Sequence, residues 1–199
     1  AGGVLFVRGT FNMYGGKLIG STVSSFTGQY LKSGVPTVME RSASGGAIES
    51  SGTLNLFGGE ILSGTAQLIT GTVIGSEELG YAYSQTTEPI EIKDPGVTIL
   101  AGGAVNLGGS CSVEDIYFTD GISGKLTLKG IYTGTTEITY PEETSVGEGS
   151  AVGVALADAD GNPANTSGSA ITVNGCEGLY AAVKGTQLVL SQTPYNYAY

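Results

Sequence analysis

A phrase of eleven residues, Gly9-Thr10-Phe11-Asn12-Met13-Tyr14-Gly15-Gly16-Lys17-Leu18-Ile19, returns 43 positions later as Gly52-Thr53-Leu54-Asn55-Leu56-Phe57-Gly58-Gly59-Glu60-Ile61-Leu62. The same offset carries Gly2-Gly3 onto Gly45-Gly46. A repeat of this period means that one unit is stacked on copies of itself, because a single unit cannot bury its own apolar face. Within the phrase Phe11 and Met13, like Leu54 and Leu56, flank an Asn. That alternation puts the apolar residues on one face of a strand and Asn12 and Asn55 on the other.

Strand signals continue along the chain: Val4–Val7, Gln67–Val73, Pro89–Lys93, Val97–Leu100, Ser112–Phe118, Lys125–Lys129, Glu137–Tyr140, Ala151–Leu156, Ala170–Val173 and Gln187–Leu190. Only Ser76-Glu77-Glu78-Leu79 suggests a helical turn, and no amphipathic helix is present to make parallel crossovers. Turns in the first half are Gly-Gly pairs, whereas Asp120-Gly121, Asp160-Gly161 and Asn174-Gly175 are confined to the second. The arrangement predicts a right-handed parallel β-helix, a solenoid of coils of about 20 residues stacked about 4.8 Å apart, with the 43-residue offset spanning two coils. Phe11, Met13 and Leu18 are then expected to sit inside the tube two coils from Leu54, Leu56 and Ile61. Ser24–Ser44, with Pro36, is the expected intervening coil with a looped-out turn. Residues 1–141 are read as coils, and residues 142–199 as a C-terminal cap or small β appendage containing a hairpin of Leu179–Val183 and Thr186–Leu190.

The paired phrases, with a weaker third copy at Gly103-Ala104-Val105-Asn106-Leu107-Gly108-Gly109, resemble the repeat of large secreted or surface proteins of anaerobic Gram-positive gut bacteria. These proteins belong to the parallel β-helix class that includes autotransporter passengers, pectate lyases and phage tailspikes. Val113–Gly130 also resembles the closing segments found after such arrays. The resemblance implies an extracellular or cell-surface location. Its direct match covers residues 2–23 and 45–66 and bears more on fold than on role.

Charge and missing residue types narrow the chemistry. The formal charge is −10, from 18 acids against 8 bases, so nucleic acid and anionic membrane are not expected partners. Histidine is absent, which removes His triads, His metal ligands and His proton shuttles. Cys111 and Cys176 lack metal-ligand spacing and are read either as small buried residues, the preferred account, or as one disulfide. No apolar run reaches the ~18 residues of a membrane helix. The start at Ala1-Gly2-Gly3, without a leader, is read as a processed chain or an excerpt.

A pectate-lyase-like site needs clustered acids and a basic residue on one face, but Arg8 and Arg41 are the only arginines and the lysines are scattered. Lys17 and Glu60 fall at equivalent repeat positions and are read as a solvated, stackable pair. The neighbouring acids Glu114-Asp115, Glu77-Glu78 and Glu142-Glu143 project to opposite faces of an extended strand, so none of the three pairs can converge on a glycosidic bond. Asp158, Asp160 and Asn162 form a weak calcium candidate, with a plain Asx turn before Pro163 preferred because no downstream carboxylate completes the loop. No other cofactor or metal is expected. Tyr81 and Tyr83, and Tyr195, Tyr197 and Tyr199, are spaced by two and could present a strip to a glycan or a partner protein, although packing against the body is preferred.

The functional expectation is a non-enzymatic extracellular stalk, scaffold or adhesive surface of a larger bacterial protein. Glycan or a host or bacterial surface protein is the expected partner, and end-to-end self-association is possible in a stack of repeats. The alternatives are a carbohydrate-binding module, a polysaccharide-degrading enzyme or a phage-fibre segment.

Overall fold

The computed structural model describes the backbone of residues 4–20, 23–32, 35–41, 46–63, 66–76, 80–85, 97–122, 124–139, 141, 146–166 and 170–192, with side chains for those outside 23–41 and 66–85. The strands in chain order are β1 (Leu5–Val7), β2 (Thr10–Ile19), β3 (Val23–Lys32), β4 (Val35–Arg41), β5 (Ile48–Ser50), β6 (Thr53–Leu62), β7 (Ala66–Ser76), β8 (Gly80–Gln85) and β9 (Ile99–Ala101). They continue as β10 (Ala104–Gly109), β11 (Ser112–Phe118), β12 (Leu126–Tyr132), β13 (Thr136–Thr139), β14 (Ala151–Leu156), β15 (Asn165–Thr166), β16 (Ile171–Val173), β17 (Tyr180–Lys184) and β18 (Gln187–Ser191). No helix occurs among the described residues.

The repeat phrase sets the register. Phe11 pairs with Leu54, Asn12 with Asn55 and Met13 with Leu56 in a parallel ladder, and Leu54, Asn55 and Leu56 pair in turn with Val105, Asn106 and Leu107. The two copies are therefore hydrogen-bonded neighbours, and the expected spacing of two coils is wrong. The intervening residues make an excursion: β3 and β4 form an antiparallel hairpin, not a coil with a looped turn. β3 also pairs in parallel with β7, Val23 on Ala66 through Gln29 on Thr72, at the same 43-residue offset. These two strands with β4 and β8 make a separate four-stranded sheet.

Apolar residues at alternate positions stack into interior columns. One runs Met13, Leu56, Leu107, Leu128, Ala155, and another runs Leu5, Ile48, Ile99, Ile116, Ile138, Val173. A third contains Leu18, Ile61, Val113, Thr136 and Ile171. Most of these side chains are fully buried. At about 25 cal/mol per Å² of apolar surface removed from water, such columns are the main favourable term holding the strands together.

The larger sheet does not continue as an open stack. Nine strands, in the order β6-β11-β13-β16-β17-β18-β14-β12-β10, return to β6 and close a mixed β-barrel. Closure depends on the length of β6: its first half pairs with β10, while Glu60 and Ile61 pair with Ser112 and Val113 of β11. A bulge over Gly58-Gly59 lets one strand serve both neighbours, with Gly59 at a φ of 99° that other residues adopt only with strain. The opposite side is joined by the hairpin of β17 and β18, which is antiparallel to β16 on one flank and to β14 on the other.

The expected right-handed parallel β-helix, a solenoid with a C-terminal cap or appendage, is thus corrected to a closed barrel. A hairpin covering the end of a solenoid would leave its ladders separate. Here the hairpin hydrogen-bonds both ladders and completes a ring, which satisfies backbone groups that an open edge leaves unpaired. β2 lies outside the ring on β6, β1-β5-β9 outside it on β11, and β15 on β12. The expected strand at Pro89–Lys93 and the helical turn at Ser76–Leu79 fall largely outside the described residues.

Candidate functional site

The outward face of β2, β6 and β10 carries an asparagine ladder. Asn55 Nδ2 donates to Asn12 Oδ1 at 2.7 Å, and Asn106 Nδ2 donates to Asn55 Oδ1 at 2.7 Å. In-register stacking makes this possible, since identical amides one strand apart present a donor to an acceptor. Beyond Asn106 the column passes to Thr127 and Val154.

One step further along the strands, a groove of 710 Å³ is lined by Tyr14, Phe57, Lys129, Ile131, Leu156 and the turn 157–160, with Gly109 in its wall. Its aromatic wall comes from the repeat: Tyr14 and Phe57 hold the aromatic position before Gly-Gly in each copy, with ring centroids 5.8 Å apart and planes tilted by 40°. Tyr14 is 74% exposed, Ile131 53% and Leu156 43%. These are large apolar side chains left in water beside one another, where the bland expectation for each is burial. Lys129 and Ile131 flank Gly130, and β12 is out of step with β10 here: Leu107 pairs with Leu128 but Gly109 with Tyr132. Gly130 has a φ of 66°, and a Cβ there would run into the Asp158 side chain. Only glycine lets the turn after β14 approach β12 and form the far wall.

That turn contains the calcium candidate. The backbone N–H groups of Asp160 and Asn162 donate to Asp158 Oδ1 at 3.0 and 2.8 Å, and Asn162 Nδ2 donates to Oδ2 at 2.9 Å. These bonds, that of the Asn162 amide side chain first, hold the Asp158 carboxyl below its ordinary range. Both carboxylate oxygens are used by the turn itself. Among the described residues no group of three or more His, Cys, Asp or Glu is placed to hold a metal ion.

A second groove of 380 Å³ carries Glu60, Glu114 and Glu137 with Ser112, Thr135 and Thr172. Glu60 pairs with Lys17 at 2.8 Å, both half-exposed. Glu114 accepts from the Ser63 backbone N–H at 2.8 Å and the Ser63 hydroxyl at 2.6 Å, which lowers its pKa, the hydroxyl contributing most. Asp115 turns elsewhere and accepts from the Thr98 N–H and hydroxyl at 2.9 and 2.7 Å. Glu114 and Asp115 thus serve different loops. Glu77, Glu78, Glu142 and Glu143 lie outside the described residues.

Both cysteines are free thiols, Cys111 buried and Cys176 partly so. Burial pushes the Cys111 thiol up to about 11, away from the thiolate needed for reactivity. Tyr81 and Tyr83 are on β8, opposite Gly75 and Val73 of β7, and their side chains are outside the described set. Tyr195, Tyr197 and Tyr199 also lie outside the described residues. The aromatic wall that can be seen, Tyr14 and Phe57, was not singled out by spacing of tyrosines. Its sequence signal was an aromatic residue following the inward Met13 or Leu56 in both copies.

No protein-family model, curated protein or solved structure matches this chain.

Proposed function

We propose that this chain is a non-catalytic contact module of an extracellular bacterial surface protein, and that the groove beside Tyr14 and Phe57 binds neutral glycan. The exposed Tyr14 ring against Phe57 at the groove wall carries this reading. A sugar offers an apolar C–H face and a rim of hydroxyls. An exposed ring accepts the first, while Lys129 and the Asp158–Asp160 turn supply donors and acceptors for the second. The net charge of −10 disfavours acidic polysaccharides and so favours neutral ones. The groove is built on hydrogen-bonded strand ladders, which leaves less of it to be ordered on binding.

The test is a glycan array followed by calorimetry on retained sugars, comparing the native chain with Tyr14→Ala and Leu156→Ser. Loss of at least about tenfold in affinity in both variants, about 1.4 kcal/mol, is expected. Undiminished binding in both, or no retained neutral glycan, overturns the reading. A reducing-end assay on the same sugars separates binding from cleavage.

A further inference from the structure

The outward face of the larger sheet carries two rows of side chains across the same strands. Tyr14, Phe57 and Lys129 make one row, at the groove. Asn12, Asn55 and Thr127 stand two residues earlier on β2, β6 and β12, and Asn106 of β10 pairs directly with Asn55 and Thr127. A period of two residues places both rows on one face, about 7 Å apart. Asp158 and its turn meet β12 at Gly130, on the other side of Lys129. The groove therefore runs across the strands, with the asparagine ladder along one flank and the turn along the other.

The aromatic wall runs in the same direction. A Cβ on Gly108 would lie 2.9 Å from the Phe57 ring, so that ring reaches from β6 over β10, while Tyr14 extends the wall onto β2. The ladder beside it is regular, with two successive amide bonds of 2.7 Å. An amide has two N–H donors and two acceptor lone pairs. Asn55 spends one of each on its neighbours, both of which are in place, and keeps one N–H and one lone pair. It is half-buried, and the Thr127 hydroxyl has no hydrogen bond among the described residues. Asn55, Asn106 and Thr127 all belong to strands of the closed ring with neighbours on both sides, so their setting does not depend on what adjoins β2.

We infer that the asparagine ladder is the second row of the glycan site, and that the ligand is an unbranched, extended glycan laid across β2, β6, β10 and β12. Its sugar faces rest on Tyr14 and Phe57, and one edge of hydroxyls meets Asn55, Asn106 and Thr127. The inference rests on the glycan-binding reading of the groove and adds the shape of the polymer to it. An amide presents a donor and an acceptor side by side, which suits two adjacent sugar hydroxyls. The row repeats that pair at each strand, in three steps of ~4.8 Å that span about 14 Å, more than one sugar covers. A chain that coils leaves such a row after its first units, whereas an extended ribbon follows it. The ligand class is therefore a β-1,4-linked ribbon, not an α-1,4-linked coil.

The probes are cello-oligosaccharides of two to six units, titrated by calorimetry into the full chain, with malto-oligosaccharides of the same lengths for comparison. Affinity for the cello series is expected to rise by at least about tenfold from the disaccharide to the tetrasaccharide, and the malto series to show no such rise. Asn55→Ala and Thr127→Val should each remove most of that rise, so that the loss grows with ligand length. Thr127→Val keeps the shape of the side chain and breaks no bond of the ladder, so it tests the row even where Asn55→Ala lowers stability. Tyr14→Ala should weaken every length. A flat cello series, an equal rise in the malto series, or variants that lose the same factor at all lengths or none overturns the inference. When the disaccharide still binds through Tyr14, those results leave the glycan reading standing. Absence of binding by any neutral glycan overturns both.

Discussion

Tyr132 shows how a single atom can be read against its surroundings. Its ring is fully buried, and its hydroxyl has no hydrogen-bond partner among the described residues; burial raises its pKa and leaves a polar group desolvated. An unsatisfied buried hydroxyl costs about 1–3 kcal/mol. Tyr132→Phe keeps the ring and removes the cost, so the variant is expected to be more stable by about 1 kcal/mol in urea denaturation. Two carboxyls make an opposite case. Asp158 and Glu114 are held below their ordinary values of 3.8 and 4.5 by hydrogen bonds to the ionised form. Their contribution to stability is present above those ordinary values and is lost as pH falls through the lower folded ones. Carboxyl titration by NMR should find both groups protonating late, and Ser63→Ala should return Glu114 toward 4.5. Because Asp158 spends its oxygens on its own turn, a chelator is expected to leave the melting midpoint unchanged.

The element that repeats is a strand with an inward apolar face and an outward amide. Asn55 both donates and accepts in the ladder, whereas Asn12 only accepts and is more exposed. Asn55→Ala is expected to cost about 1–2 kcal/mol and Asn12→Ala less than 1, with chemical denaturation as the measurement. Equal costs would mean that the ladder bonds add nothing beyond solvation. Much of this element is legible in the sequence, since the alternation around Asn, and with it the inward and outward faces, follows from a period of two. Its length is not. The alternation suggests Thr10–Tyr14, but the strand runs to Ile19 because the Gly15-Gly16 bulge carries the pairing on to Lys17 and Leu18. A bulge looks like a turn in sequence, since both use glycine.

Across the whole molecule the hairpin of β17 and β18 decides the architecture. Leu188 is fully buried on β18, which pairs with β14 while its hairpin partner β17 pairs with β16, so that the two together complete the ring. Leu188→Ala is expected to lower stability by about 2–5 kcal/mol, and to do so in one transition shared by far-ultraviolet circular dichroism and tyrosine fluorescence. A separate early transition would mean that the hairpin melts as an appendage. The groove also belongs to this scale. Tyr14 and Phe57 come from the repeat, whereas Lys129, Ile131, Leu156 and Asp160 arrive from strands and a turn far along the chain.

By itself the sequence determined an all-β chain, its repeating unit, the inward and outward faces of that unit, and the absence of histidine chemistry. These follow from residue type and local periodicity, which act over a few positions. Only the tertiary structure decided that the copies are immediate neighbours, that the second-half hairpin closes a barrel instead of capping a solenoid, and that an aromatic wall faces a polar turn. Those outcomes depend on which strand edges meet. Backbone hydrogen bonds carry no residue identity, so the same edge can accept a parallel neighbour, an antiparallel hairpin or nothing.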